Sequence, residues 1–425
     1  MRVLAVMLFV FAVACSDEGD EPPPDSSPGG CVPGEWRRDD GSCVPAGLPP
    51  DMPCPPGEWL HDNGVCIPAG VPSDGCGEGF VHDGERGCEP LLPQEPCPPG
   101  LMAVPGDTVC REVAPCAPER WGDIPVEPDT EYVDASYAGM DSDGSALKPW
   151  TSIQAGVDAA SAGAIVAIAA GSYLEDVTVS GKRARLWGVC PRLVEVVGSG
   201  AGLAALVVWS GASGSEVHGL ALRGDARGFV VSGSLDVLVE RVWVHESALR
   251  GIVVQNDVGP TGVTLRSALI EQNHDVGVFV SASEATLEAS VVRTTQLNAQ
   301  DLSGRGVSAR AGPMTGAAST LFLRGSLVEQ NHTTGVFAEG SEATLEASVV
   351  RTTQPDAQGL VGRGVEVRAH STTAAPSKLF LQSSLVEQNR EYGVFVMGSE
   401  ATLEASVVRT TQLDAEGLMG RGVEA

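Results

Sequence analysis

The chain is poor in aromatic residues and in positive charge. Aromatic residues make up 5% of the 425 residues, and 27 Lys and Arg face 55 Asp and Glu, for a formal net charge of −28. We therefore expect small and β-branched residues, rather than aromatic rings, to form the core. Because phosphate recognition needs a Lys- and Arg-rich surface, the charge argues against nucleic acid as a partner. It also disfavours polyanionic partners unless a divalent cation mediates the contact.

Long hydrophobic runs are also missing. The longest one, Val3–Ala14, is too short to span a bilayer but has the length of a signal-peptide core. The residues Ala12-Val13-Ala14-Cys15 resemble the lipobox of bacterial lipoproteins, although the lipobox usually has Leu where Ala12 stands. The resemblance implies lipidation of Cys15 and attachment to the outer membrane or cell surface through that lipid alone. The alternative is ordinary secretion, with residues 1–15 removed.

A disordered tether is predicted to follow, over residues 16–30, because this stretch is acidic, rich in Pro and without apolar residues to bury. The next segment, residues 31–116, repeats a short cysteine-containing module. Cysteines two to four residues apart, as structural zinc sites usually need, are missing here, so we expect disulfides instead. The cysteines fall into four pairs within modules: Cys31 and Cys43, Cys54 and Cys66, Cys76 and Cys88, and Cys97 and Cys110.

Two further cysteines, Cys116 and Cys190, lie outside the modules. We predict that they pair and join the cysteine-rich segment to the following domain. The alternative is a pair of free buried thiols. Sequence alone does not determine any of these connectivities.

The dominant feature of the chain is a stretch written three times. VFVSASEATLEASVVRTTQLNAQDLSGRGV begins at Val278, and close copies begin at the equally spaced Val336 and Val394. A fixed period of this kind indicates a repeat architecture in which each unit stacks on its neighbours. Short strands separated by Gly, Asn and Ser precede the copies, as in the coils of a solenoid.

The first part of this region carries a family resemblance. The pattern YVDAS…DSDGS…KPW.SIQ..VDAA..G..V.IA.GSY (from residue 132) resembles the opening of right-handed parallel β-helix proteins of the pectin-lyase-like superfamily. The resemblance covers about residues 130–425 and implies an all-β, right-handed parallel β-helix with a short N-terminal helix that caps the first coil; the β-helix domain is predicted over residues 117–425. Ser152 suits the N-cap, and Ile153, Val157 and Ala160 share one helical face.

Each repeat unit, from about residue 263, resolves into two coils. Leu265 aligns with Leu287, and Leu287 aligns with Leu323 in the next coil, which is longer because it carries two insertions. The extra residues fall in 294–305 and 308–320, which are polar and rich in Gly and Ala, so we expect loops there. These loops should form two rows along one side of the rod.

Three repeated polar positions receive structural interpretations. Asn273, Asn331 and Asn389 are expected to satisfy backbone groups at a turn. The repeated Glu288 and Arg293, with their counterparts in the later copies, are expected on the solvated outer face. Asp141 and Asp143 are interpreted as turn residues rather than calcium ligands.

Catalytic residues are hard to find. Hydrolases of the superfamily use clustered carboxylates in motifs such as NTD, DD and GHG, and none of these occurs in the coil region. A lyase would need several carboxylates for Ca²⁺ and a Lys or Arg base. The nearest candidates are expected on consecutive rungs, with strand alternation sending Glu240 and Arg241 to opposite faces: Asp236, Glu240, Arg241, His245 and Glu246.

The sequence therefore favours a non-catalytic, lipid-anchored surface β-helix that acts in adhesion, glycan or protein binding, or envelope structure. The contact face is expected at the loops 294–320 and 352–378. No catalytic residue, metal or cofactor is assigned. The alternative is a polysaccharide lyase or glycoside hydrolase with the same fold.

Overall fold

The computed structural model describes residues 70–71, 75–84, 87–300, 302–313, 315–417 and 419–425, together with the backbone of four short strands before residue 70. The predictions for Cys15, for the tether, and for the pairs Cys31–Cys43 and Cys54–Cys66 lie outside these residues. Within the described part, no helix has both the length and the apolar character needed to cross a bilayer.

The cysteine-rich segment consists of antiparallel two-stranded hairpins. Two of them are closed by disulfides, Cys76–Cys88 and Cys97–Cys110, as the module pairing predicted. A third disulfide joins Cys116 to Cys190, 74 residues further along the chain. The hairpins are β1 (Glu35–Arg37) with β2 (Cys43–Pro45), β3 (Glu58–Leu60) with β4 (Cys66–Pro68), β5 (Phe80–His82) with β6 (Cys88–Pro90), and β7 (Leu101–Met102) with β8 (Arg111–Glu112).

The remaining strands form three parallel sheets that wind into about ten coils, each coil giving one strand to each sheet. The fold class is therefore confirmed as an all-β parallel β-helix with one short helix. The first sheet contains β9 (Glu131–Val133), β10 (Ile165–Ile168), β13 (Arg185–Gly188), β16 (Glu216–His218), β19 (Val237–Glu240), β22 (Gly262–Arg266), β25 (Glu284–Glu288), β28 (Thr320–Arg324), β31 (Glu342–Glu346), β34 (Lys378–Gln382) and β37 (Glu400–Glu404).

The second and third sheets have ten strands each. The second contains β11 (Gly171–Leu174), β14 (Val194–Gly198), β17 (Ala221–Gly224), β20 (Trp243–Ser247), β23 (Leu269–Glu271), β26 (Val291–Arg293), β29 (Leu327–Glu329), β32 (Val349–Arg351), β35 (Leu385–Glu387) and β38 (Val407–Arg409). The third contains β12 (Val177–Val179), β15 (Ala204–Val208), β18 (Arg227–Val231), β21 (Ile252–Gln255), β24 (Asp275–Ser281), β27 (Gly304–Arg310), β30 (Thr333–Glu339), β33 (Gly362–Arg368), β36 (Glu391–Met397) and β39 (Gly420–Glu424).

Helix α1 (Ile153–Ala159) begins as predicted. The Ser152 hydroxyl accepts a hydrogen bond from the Ala155 amide at 3.3 Å, and Ile153, Val157 and Ala160 are buried on one face. Without this helix the apolar edge of the first coils would face water, so α1 closes the N-terminal end of the core.

The core is a set of aliphatic ladders, one residue per coil. The predicted alignment is confirmed, since Leu265 pairs with Leu287 and Leu287 pairs with Leu323 in register. All three leucines are fully buried. Because consecutive strands lie about 4.8 Å apart, identical side chains meet along the axis and fill the interior without large rings.

Stacked polar side chains, Ser at two corners and Asn with Thr at the third, satisfy backbone groups at the three corners between the sheets. At the corner after the first sheet, each serine accepts a hydrogen bond from the backbone amide of the serine one coil earlier, as in Ser326 amide to Ser348 hydroxyl at 3.1 Å. A second serine ladder follows the third sheet, as in Ser319 amide to Ser341 hydroxyl at 3.1 Å. These buried backbone groups would otherwise lack partners.

The asparagines occupy the remaining corner, as predicted. Asn331 is fully buried, accepts a hydrogen bond from the Thr295 amide at 3.0 Å, and donates one to the Val292 carbonyl at 2.9 Å. Asn273 and Asn389 do the same in their units. The ladder alternates Asn with Thr, because the long coils carry Thr295 and Thr353 at this position.

The long coils carry two loops each, but the loops are shorter than predicted. Strand β27 takes residues 304–310, which leaves loops at 294–303 and 311–319; the equivalent corners of the next, short coil use only residues 330–332 and 340–341. The two rows of loops therefore border the third sheet on either side, and the row containing 311–319 also borders the first sheet.

Candidate functional site

The cysteine-rich segment packs lengthwise on the outer face of the second sheet. Met102, Val104 and Phe80 join a buried cluster with Leu269, Val291 and Leu385 of three different coils. Further polar contacts join the two parts, including a hydrogen bond of 2.8 Å from the Gly100 amide to Glu271. The buried contacts of the described part of the segment are therefore with the second sheet.

The docking corrects one expectation. Arg293 was expected in solvent, yet its side chain is only 4% exposed; it pairs with Glu271 at 2.6 Å and donates hydrogen bonds to the carbonyls of Pro98 and Leu101. Its counterparts Arg351 and Arg409 are more exposed, at 20% and 28%. The Glu271–Arg293 pair is buried because the cysteine-rich segment, far earlier in the chain, packs over it. Strand alternation in the sequence does not reveal this contact.

A groove runs along the seam between the cysteine-rich segment and the first sheet. It encloses about 410 Å³. Its wall on the solenoid side comes from the ends of four successive first-sheet strands, and its opposite wall comes from the third and fourth cysteine modules. The polar lining residues are Glu78, Glu288, Arg324, Glu346, Gln382 and Ser383.

The outer face of the first sheet beside this groove carries two partly exposed aromatic rings. Thr and Phe alternate along one column of the sheet, in the register Thr286, Phe322, Thr344, Phe380, Thr402. Phe322 is half-buried and Phe380 is 39% exposed. The two rings lie two coils apart, or about 10 Å. Next to them Arg324 and Glu346 form an ion pair at 3.0 Å. We call this face the phenylalanine–threonine column.

Arginines lie over phenylalanines on the outer face of the third sheet, and they do so more closely than on the first sheet, where Arg324 lies 5.2 Å from the centre of the Phe322 ring. The Arg250 guanidinium lies 4.0 Å from the centre of the Phe279 ring, Arg305 lies 4.0 Å from that of Phe337, and Arg363 lies 4.3 Å from that of Phe395. Phe337 is consequently only 2% exposed. These arginines are largely buried themselves: the side chain of Arg363 is 11% exposed and that of Arg250 is 31% exposed, and each pairs with a carboxylate of the same sheet.

The five catalytic candidates lie on one coil rather than on consecutive rungs. Asp236 precedes β19, Glu240 ends that strand, and His245 and Glu246 lie on β20. Glu240 and Arg241 were expected on opposite faces, but both line a cavity of about 120 Å³. The alternation fails because Arg241 is outside the strand, in a turn with φ of 54°.

His218 is a member of this cavity that the sequence did not reveal. Its ring stacks on Trp187 at 3.9 Å, and its nitrogens lie 3.1 Å from Glu216 and 3.3 Å from Glu240. Burial lowers the pKa of His218, although the two carboxylates oppose this shift. Pockets that hold drug-sized ligands measure roughly 300–1,000 Å³, so this cavity, at about 120 Å³, is smaller than such pockets.

The acidic residues near the start of the solenoid make contacts within the chain. Asp143 accepts a hydrogen bond from the Ser145 amide at 3.0 Å, as expected of a turn residue, and Asp141 pairs with Lys148 at 2.7 Å. In the described part of the chain, no group of three or more His, Cys, Asp or Glu side chains is arranged to hold a metal ion.

Comparison with known proteins agrees with this architecture. Residues 206–410 match the family model described as the right-handed β-helix region. No curated protein matches the chain in sequence.

Several solved structures have a similar fold. Pectate lyase Pel9A is 14% identical, with a TM-score of 0.42, and the similarity covers 66% of this chain and 78% of that one. The enzymatically active domain of bacteriophage CBA120 tailspike protein 2 is 12% identical, with a TM-score of 0.45 and coverage of 60% and 40%. Polygalacturonase from Erwinia carotovora ssp. carotovora is 11% identical, with a TM-score of 0.41 and coverage of 68% and 97%.

Similarity at this level concerns only the stacked-coil architecture. The family resemblance noted in the sequence is thus confirmed for the fold: the protein is a right-handed parallel β-helix, and its residues 206–410 match the family of right-handed β-helix regions.

Proposed function

We propose that the protein binds a glycan, without cleaving it, on the phenylalanine–threonine column and the groove beside it. The observation that supports this proposal most is the pairing of two accessible rings, Phe322 and Phe380, with a polar groove that extends over four coils. A sugar ring can pack its C–H face on an aromatic ring while side chains such as Arg324 and Gln382 bond its hydroxyls.

The proposed ligand is a neutral, linear glycan. Carboxylates of Glu78, Glu288 and Glu346 face the groove, and the chain carries a formal charge of −28. These charges repel polyanions but accept hydrogen bonds from sugar hydroxyls. The two rings are spaced by two coils, so an extended chain lying along the axis would meet them at different sugar residues.

Only one of the two rows of loops predicted as a contact face belongs to the proposed binding surface. The row formed by 311–319 and its counterpart 369–377 borders the phenylalanine–threonine column, so we propose that it contacts the ligand. The row at 294–303 lies at the far edge of the third sheet. Replacing 311–319 by the two-residue Gly-Ser corner of the short coils should preserve the coils and weaken glycan binding; unaltered binding would exclude this row.

We further propose that the protein is displayed at the cell surface. The three disulfides fit an oxidising, extracellular compartment. A lipid on Cys15 and a tether over 16–30 would attach the domains 31–116 and 117–425 to the outer membrane. Labelling of cells with a palmitate analogue tests this, with Cys15→Ala as the control. Equal labelling of both proteins would refute attachment at Cys15.

The glycan proposal is tested by binding of the purified chain to neutral glucans of different linkage. Phe380→Ala should weaken binding about fivefold, because an aromatic contact contributes about 1 kcal/mol. Phe279→Ala is the matched control on the third sheet and should bind as the original chain does. Equal effects of the two substitutions would contradict the proposed face.

The alternative function is glycan cleavage at the cavity of His218. It is favoured by one observation, the contact of a histidine with two carboxylates near Arg241. Release of product from a glycan panel, lost in Glu240→Gln, would establish it. Binding without product release would favour the first proposal.

A further inference from the structure

One strand of the third sheet occurs in two copies whose sequences differ at two positions. Strand β27 reads GRGVSAR, and strand β33, one repeat unit later, reads GRGVEVR. Arg305 and Arg363 are equivalent, and so are Arg310 and Arg368. Between the arginines, Ser308 in the first copy takes the place of Glu366 in the second.

In the second copy the arginines are matched by carboxylates. Arg363 binds Glu391 through Nε and Nη2, at 2.8 Å each, and its Nη1 lies 3.1 Å from Glu366. Arg368 also contacts Glu366, which is 1% exposed. The cationic pair is thus neutralised within the chain by two glutamates.

In the first copy both glutamates are replaced by hydroxyl residues. The position of Glu391 is Thr333, and the position of Glu366 is Ser308. Within the described residues, Arg305 has no hydrogen bond and no ion pair, and its Nε is buried. The Ser308 hydroxyl is fully buried and has no hydrogen-bond partner there. The Arg310 Nε is also without a hydrogen bond; the nearest carboxylate, Glu339, lies 4.0 Å away.

This arrangement leaves the largely buried guanidinium of Arg305 without a carboxylate partner; it lies over the Phe337 ring, 4.0 Å from the ring centre. Burial lowers the pKa of Arg305 to about 10, and the neighbouring Arg310 and Arg368 act in the same direction against Glu366 and Asp275. Arg305 still carries its charge at neutral pH. An unpaired buried cation is costly, and an anion bound between the guanidinium groups would offset that cost.

We propose that Arg305, Arg310, Ser308 and Thr333 form a binding site for an oxyanion, such as a sulfate ion or the carboxylate of a ligand, at the position that Glu366 occupies in the next copy. The Arg310 side chain is 37% exposed, which gives the site access to solvent. The guanidinium groups supply the charge and the two hydroxyls supply hydrogen bonds. This site is on the third sheet and is independent of the proposed glycan face on the first.

Titration of the whole oxidised chain with sulfate, at an ionic strength held constant with chloride, tests the site. Calorimetry should show saturable binding, and thermal unfolding should shift upward with sulfate. Ser308→Glu, which restores the carboxylate of the second copy, should lower sulfate affinity by roughly tenfold or more. Arg305→Gln should have the same effect, and circular dichroism checks that both variants are folded.

The second copy provides the matched control. The double substitution Glu366→Ser with Glu391→Thr gives Arg363 and Arg368 the surroundings of the first copy, so it should add a second sulfate site. No saturable sulfate binding by the unaltered chain, or equal binding by the Ser308→Glu variant, would overturn the proposal.

A further arm identifies the source of the oxyanion. Methyl glucuronide and neutral methyl glucoside are compared under the same conditions. Binding of glucuronide that Ser308→Glu abolishes assigns the site to a sugar carboxylate, whereas binding of sulfate alone assigns it to a free ion. Binding of the neutral glucoside that Ser308→Glu also abolishes would contradict an oxyanion site. Failure of neutral glucans to bind Phe322 and Phe380 would leave these results unaffected.

Discussion

At the scale of the residue, equivalent arginines of the repeated copies have different surroundings. Arg293 and Arg351 occupy equivalent positions of two copies, yet one is buried against the cysteine-rich segment and the other is partly exposed. Arg305 and Arg363 are equivalent as well, but only Arg363 has carboxylate partners. The copies therefore share a backbone and a core while their outer side chains have separate surroundings.

The buried histidines predict a loss of stability in mild acid. Burial lowers the pKa of both His218 and His245 in the folded chain. The unfolded chain therefore binds protons more tightly, so the free energy of unfolding should fall as pH drops below about 6.5. Chemical unfolding between pH 7.5 and 5, values chosen to span roughly the histidine range, measures this.

Carboxylates with lowered pKa, such as Asp275, lose their contribution only in stronger acid, near the ordinary pKa of about 4 and below. The double substitution of His218 and His245 by Gln should therefore flatten the pH dependence between pH 7.5 and 5 alone. An unchanged slope in that variant would show that other groups are responsible.

At the scale of the element, the ladders explain how a chain with few aromatic residues builds a long core. Leu265, Leu287 and Leu323 stack on one another along the axis, so each coil covers the apolar side chains of the coils next to it. The serine ladders then satisfy the amides at two corners. Each unit depends on the next for both burial and hydrogen bonds.

The serine ladder gives a prediction on stability. Ser348 accepts a hydrogen bond from the Ser326 amide at 3.1 Å and donates one to the Glu346 carbonyl at 2.9 Å. Ser348→Ala should lower the free energy of unfolding by about 1–3 kcal/mol, because the Ser326 amide is left buried without its partner. Denaturant unfolding measures the change.

Ser406 at the last coil is the matched control. It makes the same two contacts but lies near solvent, and water can replace them. Ser406→Ala should therefore cost less than Ser348→Ala. A larger effect of Ser406→Ala would contradict the role assigned to burial.

The elements were predicted from the sequence far better than the surfaces. The fixed period of the copies and the recurrence of Leu predicted the coils and their short and long corners, because stacking makes core positions repeat. The loop bounds were wrong by a few residues, since Ser308–Arg310 continues a strand instead of starting a loop.

The side-chain clusters could not be predicted in the same way. Arg293 is buried by Pro98 and Leu101, and His218 meets Glu240 from the next coil. Such contacts depend on docking between distant segments, which local periodicity does not encode. The failed alternation at Glu240 and Arg241 has a local cause, the turn that begins at Arg241 with φ of 54°.

At the scale of the whole molecule, the cysteine-rich segment acts as a brace along the second sheet. The Cys116–Cys190 disulfide joins it to the first coils, and the Glu271–Arg293 pair joins it to the middle ones. This brace covers one face of the solenoid and, with the first sheet, forms the groove proposed to bind a glycan.

Substitutions at the equivalent residues Arg293 and Arg351 should lower the stability of the chain by different amounts. Arg293→Met should destabilise the chain by about 3–5 kcal/mol, because it leaves Glu271 buried with an unpaired charge. Arg351→Met also leaves a buried carboxylate, Glu329, but among the described residues it removes no hydrogen bond to the cysteine-rich segment, so it should cost less. Limited proteolysis of the cysteine-rich segment, measured beside global unfolding, should show earlier cleavage only in Arg293→Met. Equal cleavage in both variants would contradict the brace.

The solenoid is proposed to bind a neutral glycan on its first sheet without cleaving it. The most direct measurement incubates the purified chain with a panel of neutral and acidic glycans, with and without Ca²⁺, and records bound ligand and released product together. We predict retention of a neutral glycan, loss of that retention in Phe322→Ala and Phe380→Ala, and no product. Product release that Glu240→Gln abolishes would contradict the claim.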